Sequence, residues 1–154
     1  MSPSLPIRIG VRAHDFGCLP AGELAAKIAA KHLVCTQLAL GKAIAGLNLK
    51  PGLLNPGLAF DIGRAFETHG VQIAVLGCYV NPIHPDPTMR KSLLGLFKEH
   101  LRYARDFGNG LVALETGSVN ADYSPHPENH GETAFQQSLA SIAELVAEAE
   151  HFGV

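Results

Sequence analysis

Charge is scarce in this chain: 17% of its 154 residues are Asp, Glu, Lys or Arg, and the net charge is −2, from 12 basic and 14 acidic side chains. No basic block stands out, so electrostatics give no reason to expect nucleic acid or a membrane surface as a partner. Long hydrophobic runs are missing too. None approaches the ~18 residues that a membrane-spanning helix needs. The opening "MSPSLPIRIG" lacks the charged-then-apolar layout of a secretory leader, which makes the cytoplasm the expected location. Cysteine is limited to Cys18, Cys35 and Cys78, an odd number with no CxxC pair, against a disulfide framework or a cysteine metal site. They read as small core residues in a reducing compartment. There is no Walker loop, no GxGxxG and no GxSxG, so nucleotide binding and serine hydrolysis have no support.

What is present is hydrophobic substance, 47% of the chain, enough for one domain with a real core. It is laid out as alternating short apolar runs and longer segments of helical period. Strands are expected at "IRIGVRA" (7–13), "LVCTQLAL" (33–40), "VQIAVLGCYV" (71–80) and "GLVALETG" (110–117). Helices are expected at 21–33, 55–70, 86–108 and 132–153. Asn55–Pro56 and Asp86–Pro87 carry the cap-then-proline signature of a helix start. Leu93, Phe97, Leu101 and Ala104 form one helical stripe; Phe135, Leu139, Ile142, Val146 and Ala149 form another. The strands are continuously apolar, as in a parallel sheet buried on both faces. The expected class is therefore α/β, either doubly wound or a barrel.

The unit ends repeat. "AKHLV", "THGVQI", "DFGNGLV" and "EHFGV" each close a helix with His or Gly and lead toward a strand. His32, His69 and His151 are thereby structural, on the face where strands begin, and His100 lies within a helix. His14, His84, His126 and His130 follow strands, on the face where α/β folds do chemistry. Val154 resembles the first residue of a fifth strand, and four units in 154 residues project to roughly 270–290 for eight, the size of a barrel. The expectation is a single domain, 1–154, forming the (βα)4 N-terminal half of a (β/α)8 barrel and stopping before strand five. Such a half leaves the first and fourth strands with open edges, which favours a homodimer through them.

"VLGCYVNPIHPDP", "FKEHLRYARDFGNGLVALETGS" and "SIAELVAEAEHFGV" resemble the xylose-isomerase-like TIM barrels of the sugar phosphate isomerase and epimerase group, relatives of metal-dependent endonuclease barrels. The resemblance covers nearly the whole chain and only the N-terminal half of that domain. It implies a sugar or sugar phosphate as substrate and a divalent metal (manganese, cobalt, zinc or magnesium) at the mouth. The implied reaction is proton transfer beside a carbonyl, the metal steadying the enediolate while a carboxylate moves the proton. It places the main metal ligands at the ends of strands five to eight, so this stretch alone is expected to lack both metal and activity. No catalytic residue is assigned.

The remaining candidates are for substrate binding. Glu115, at the end of the fourth strand, could hold sugar hydroxyls or support a metal; alternatively it is a strand-end carboxylate accepting backbone or His hydrogen bonds. Thr116, Gly117 and Ser118 could add donors from the same loop. Tyr79 and Asn81 end the third strand, and His84 follows in "NPIHPDP", a set suited to sugar recognition or simply to a proline-stiffened turn. Asp86 is a cap. His14 and Asp15 follow the first strand and could line the mouth or tie down a loop. "HPENH" (126–130) has the spacing of a metal site but sits on a proline-broken loop, which suits a lid over substrate better. The Gly- and Pro-rich segment after the second strand suggests a mobile flap whose Lys42 and Lys50 are solvated or meet a phosphate. Two rival functions remain: metal-dependent phosphodiester hydrolysis, disfavoured by the near-neutral charge, and a half barrel that only self-associates.

Overall fold

The four apolar runs lie side by side as parallel strands in a computed structural model, which describes residues 7–154. The expectation that no secretory leader opens the sequence falls largely on residues 1–6, outside the described ones. The strands are β1 (Gly10–Arg12), β2 (Cys35–Ala39), β3 (Gln72–Gly77) and β4 (Val112–Ala113), in the order β1-β2-β3-β4. Val11 pairs with Thr36, Leu38 with Leu76 and Leu76 with Val112, and the β2–β3 register shifts between Thr36 and Gln37. The helices are α1 (Ala21–Ala29), α2 (Leu40–Ala43), α3 (Pro56–Thr68), α4 (Pro87–Tyr103) and α5 (Glu132–Phe152).

The helix starts follow from local chemistry. Asn55 accepts the amide N–H of Leu58 at 3.0 Å, and Asp86 accepts those of Thr88 at 2.8 Å and Met89 at 3.3 Å, so each cap satisfies donors that the first turn leaves orphaned. The structural histidines sit where the sequence puts them. His32 turns the chain after α1 with φ 58°, and His69 caps α3 with its Nδ1 donating to the Ala65 carbonyl at 2.9 Å.

Leu24, Ile28, Leu38, Phe66, Leu76 and Phe107 fill the space between the sheet and α1 and α3. Cys78, Val80, Phe97, Leu101 and Leu145 form a second cluster beneath α4 and α5. Each such side chain contributes roughly 1.5–3 kcal/mol by leaving water. Ion pairs Lys98–Glu144 at 2.8 Å and Arg102–Glu148 at 3.6 Å join the last two helices. Among the described residues no helix is long and apolar enough to cross a membrane.

Three expectations are corrected. The outer strands are shorter than their apolar runs: β1 has three residues and β4 two, because only the stretch facing a paired neighbour is held as strand. The segment after β2 is no free flap at its start. Leu40, Ala43 and Ile44 are buried there, and Ile44 bridges to Leu19. The continuous burial expected of a closed sheet is absent in β1, whose Gly10 and Arg12 are exposed. The apolar stripe expected along α5 is found, and it turns outward at Phe135 (60% exposed), Leu139 (52%) and Val146 (48%), while Ala134, Ser141 and Leu145 make the buried face.

Candidate active-site mouth

Side chains alternate along a strand. Val11, Leu38, Leu76 and Val112 turn toward the helices and pack in the core, which leaves Arg12, Gln37 and Gly77 on the open, concave side. Tyr79 continues that side past the end of β3. Its phenol is hydrogen-bonded to the Gln37 amide, and Lys42 Nζ stands 4.4 Å over its ring. A Cβ on residue 77 would come within 2.7 Å of Gln37 Nε2 and 3.2 Å of the Tyr79 oxygen, so glycine is what lets these two side chains meet over β3. Glu115, two residues beyond β4, is exposed and close enough to act on both tyrosines of this end. Burial chiefly, and then the Glu115 charge, raise the Tyr79 pKa, while Arg12 works the other way. The phenol thus stays a hydrogen-bond donor at neutral pH. Arg12 itself grips Asp15 with two bonds, at 3.0 and 3.2 Å.

His14 follows β1 at the same end, half-buried, with Nδ1 buried and without a hydrogen-bond partner among the described residues. His84 is half-buried too; its Nδ1 accepts the Asp86 N–H at 3.1 Å, which fixes the ring beside the cap of α4. Asn81 and Ser118 have a different situation. Both are buried, at 2% and 1% exposure, and they are spent on each other. The Asn81 amide donates to the carbonyls of Ser118 at 2.7 Å and Asn120 at 3.2 Å and accepts from the N–H groups of Ile83 and Ser118. Ser118 Oγ donates to the Ser124 carbonyl at 2.7 Å. The pair clamps the loop after β3 to the loop after β4. Tyr123, at φ 68°, locks the same loop by donating to the Val80 carbonyl at 2.7 Å. Burial first, then Glu115 and Cys78, push its phenol up to about 12.

A cleft of about 540 Å³ opens beside this clamp, walled by Thr116, Gly117, His126, His130 and Phe135. His126 is not poised as a ligand: its Nδ1 accepts the Glu128 N–H at 3.2 Å and caps a short 3-10 turn, Pro127–His130. Among the described residues no three His, Cys, Asp or Glu side chains converge to hold a metal ion. The donors present therefore do not fit the divalent cation expected of such a barrel, and no chemical step here runs through one. A second cavity, of about 450 Å³, lies at the opposite end of the strands. It gathers Arg8, Arg64 and Arg105, but Arg8 donates to Gln72, Arg105 to the carbonyls at the end of α5, and Glu67 and Asp106 offset their charge. The mouth, at the C-terminal strand ends, is the better candidate site.

Gln37 and Arg12 escaped the sequence reading. The available signal was a lone amide inside "LVCTQLAL", polar where its neighbours are apolar.

The comparisons agree with this architecture. A D-psicose 3-epimerase solved in the presence of D-fructose superposes with a TM-score of 0.69 at 12% identity, over 96% of this chain and 50% of its own. The D-psicose 3-epimerase from Clostridium cellulolyticum H10, solved with D-tagatose, gives 0.68 at 13% identity, over 96% and 50%. The chain thus spans half the length of these structures, and likeness at such identity speaks to the fold alone. No curated protein matches the chain by sequence. Residues 53–154, well over half of the chain, match the model of the xylose isomerase-like TIM barrel family. A (βα)4 sheet with its polar side chains gathered at the strand C-termini, and that match, lead to one conclusion: the chain belongs to the xylose isomerase-like TIM barrel family.

Proposed function

We propose that this chain supplies half of the substrate pocket of a sugar isomerase or epimerase, a protein that moves a proton between carbons beside a carbonyl. The observation that carries the reading is the mouth cluster: Tyr79, Gln37 and Lys42 meet at the strand C-termini, with Glu115 near enough for its charge to act on the Tyr79 phenol, in a chain of this family. A sugar presents many hydroxyls, each a donor and an acceptor. Glu115 accepts from them, Tyr79 and Lys42 donate, and His14 and His84 border the same end. Asn81 and Ser118 act one step removed, by holding the two loops in place. A terminal phosphate would find Lys42 here, so both sugars and sugar phosphates remain within the proposed substrate class.

Proton transfer and metal binding are assigned to strands that complete the ring. Self-association through the edges of β1 and β4 is part of this proposal, since exposed strand edges are sites for association. The relatives solved with D-fructose and D-tagatose suggest ketohexoses as first ligands. The test is titration of the 154-residue chain with D-fructose, followed by amide chemical shifts. Saturable shifts around Tyr79 and Glu115, weakened about tenfold or more in Glu115→Gln as loss of a charged hydrogen bond requires, support the reading. Shifts scattered over the surface, indifferent to that substitution, overturn it.

A further inference from the structure

Between α2 and α3 the chain reads "AGLNLKPGL" (45–53), a segment anchored at both ends. The Ala45 N–H donates to the Leu19 carbonyl at 2.9 Å, and Leu54, one residue before the cap of α3, is buried. Between these anchors alternate side chains face the fold: Leu47 and Leu49 are half-buried, Asn48 and Lys50 exposed. Gly46 and Gly52 take φ of 78° and 84°, a region that glycine enters without steric cost. Nothing lies within 4 Å of where a Cβ would stand at either, so both turns are made in open space.

Leu49 packs on both hydrophobic clusters and lines a space of about 90 Å³ together with Lys42, Gly77, Tyr79 and Leu96. The segment thus runs from the end of β2 past the end of β3 to α4, and covers the Tyr79–Lys42 side of the mouth. One directed bond holds it there. Among the described residues, the only hydrogen bond joining residues 46–52 to anything outside the segment runs from the Gly52 N–H to Glu99 Oε1, on α4. The other carboxylate oxygen, Oε2, is buried without a partner among the described residues. That orphaned oxygen disfavours the shut arrangement, since opening would let water reach it. Burial of Leu47 and Leu49 favours it. Opposed contributions of this kind belong to segments that open locally while the rest of the fold persists.

We propose that residues 45–53 are a lid over the Tyr79–Lys42 side of the mouth, swinging on Gly46 and Gly52, with Glu99 as the positioning residue that latches it. Shut, the lid keeps water from the space beside Leu49; open, it admits a ligand to Lys42 and Tyr79. That a sugar passes beneath it rests on the reading of the mouth given above, whereas the lid and its latch do not.

The test is native-state proteolysis of the 154-residue chain by thermolysin, which cuts before leucine, with fragments identified by mass. Cutting before Leu47 or Leu49 is expected to be faster than global unfolding, measured in urea, allows. Glu99→Ala should speed it about tenfold or more, as loss of a hydrogen bond to a charged group requires. Glu99→Gln, which keeps an oxygen acceptor, should restore the slower rate. In the unsubstituted chain the Gly52 amide should also exchange far faster than the amides in the middle of α4. Cutting and exchange that both need global unfolding overturn the lid, and equal cutting of all three proteins overturns the latch. Added D-fructose separates the two readings. Slower cutting supports a sugar beneath the lid, while unchanged cutting, with the variants behaving as expected, overturns the sugar and leaves the lid standing.

Discussion

Asn81 shows how much one buried amide can organise. Both of its donor hydrogens and its oxygen are engaged, and every partner lies in a loop rather than in a strand or helix. Asn81→Ala would take the partner from the N–H groups of Ile83 and Ser118 and from the Ser118 carbonyl in a dry contact, while the Asn120 carbonyl keeps the Tyr123 N–H. The expected cost is roughly 2 kcal/mol in urea unfolding, the penalty for orphaned buried polar groups, with faster amide exchange through residues 117–131. At this scale the sequence was only half legible. Glu115 and Tyr79 could be placed because strand ends are visible as the end of an apolar run. Asn81 and Ser118 read as sugar contacts from the same position, yet a polar residue in a loop can turn either way. Which way is decided by a partner about 37 residues distant, and no local pattern records that.

Helices were the most legible elements, because their starts depend on three or four consecutive residues. Asp86 and Pro87 define the first turn of α4 whatever surrounds them. Removing the cap with Asp86→Ala is expected to cost ~1 kcal/mol, read as a lowered urea midpoint with an unchanged slope, since the fold and its buried surface persist. The outer strands were less legible. β1 and β4 have apolar flanks that would extend in a closed sheet, and Ile9 and Leu111 stand exposed beside them, at 68% and 55%. Strand length at an edge is set by the neighbour, not by the run itself. The same holds for α5, where the period correctly identifies an apolar flank but cannot say whether anything packs on it.

For the molecule as a whole, stability should depend on pH through His100. It is fully buried, its Nδ1 donates to the Leu96 carbonyl at 2.8 Å, and its Nε2 has no partner among the described residues. Burial lowers its pKa, outweighing the Leu96 carbonyl and the nearby Glu99, which raise it. The unfolded chain therefore binds a proton at His100 more readily than the folded one. Its contribution is fully present above the unfolded value of 6.5 and is lost as pH falls from there toward the depressed folded value. The slope from this one group reaches at most ~1.4 kcal/mol per pH unit. Urea unfolding at pH 7.5 and 5.5 should show the loss, and His100→Gln should flatten it.

β1 and β4, the outer strands of this sheet, run the same way and present different surfaces, so two such sheets brought edge to edge would meet head to tail. Such a contact is terminated only by curvature: if the second junction meets the first, assembly stops at two, and if it misses, each added copy presents a fresh edge and growth continues as a filament. The register shift between Thr36 and Gln37 matters for that reason, because an irregularity of this kind bends and twists a sheet. The difference between a discrete particle and a fibre would thus hinge on one offset in the middle of the sheet, far from either surface that does the joining.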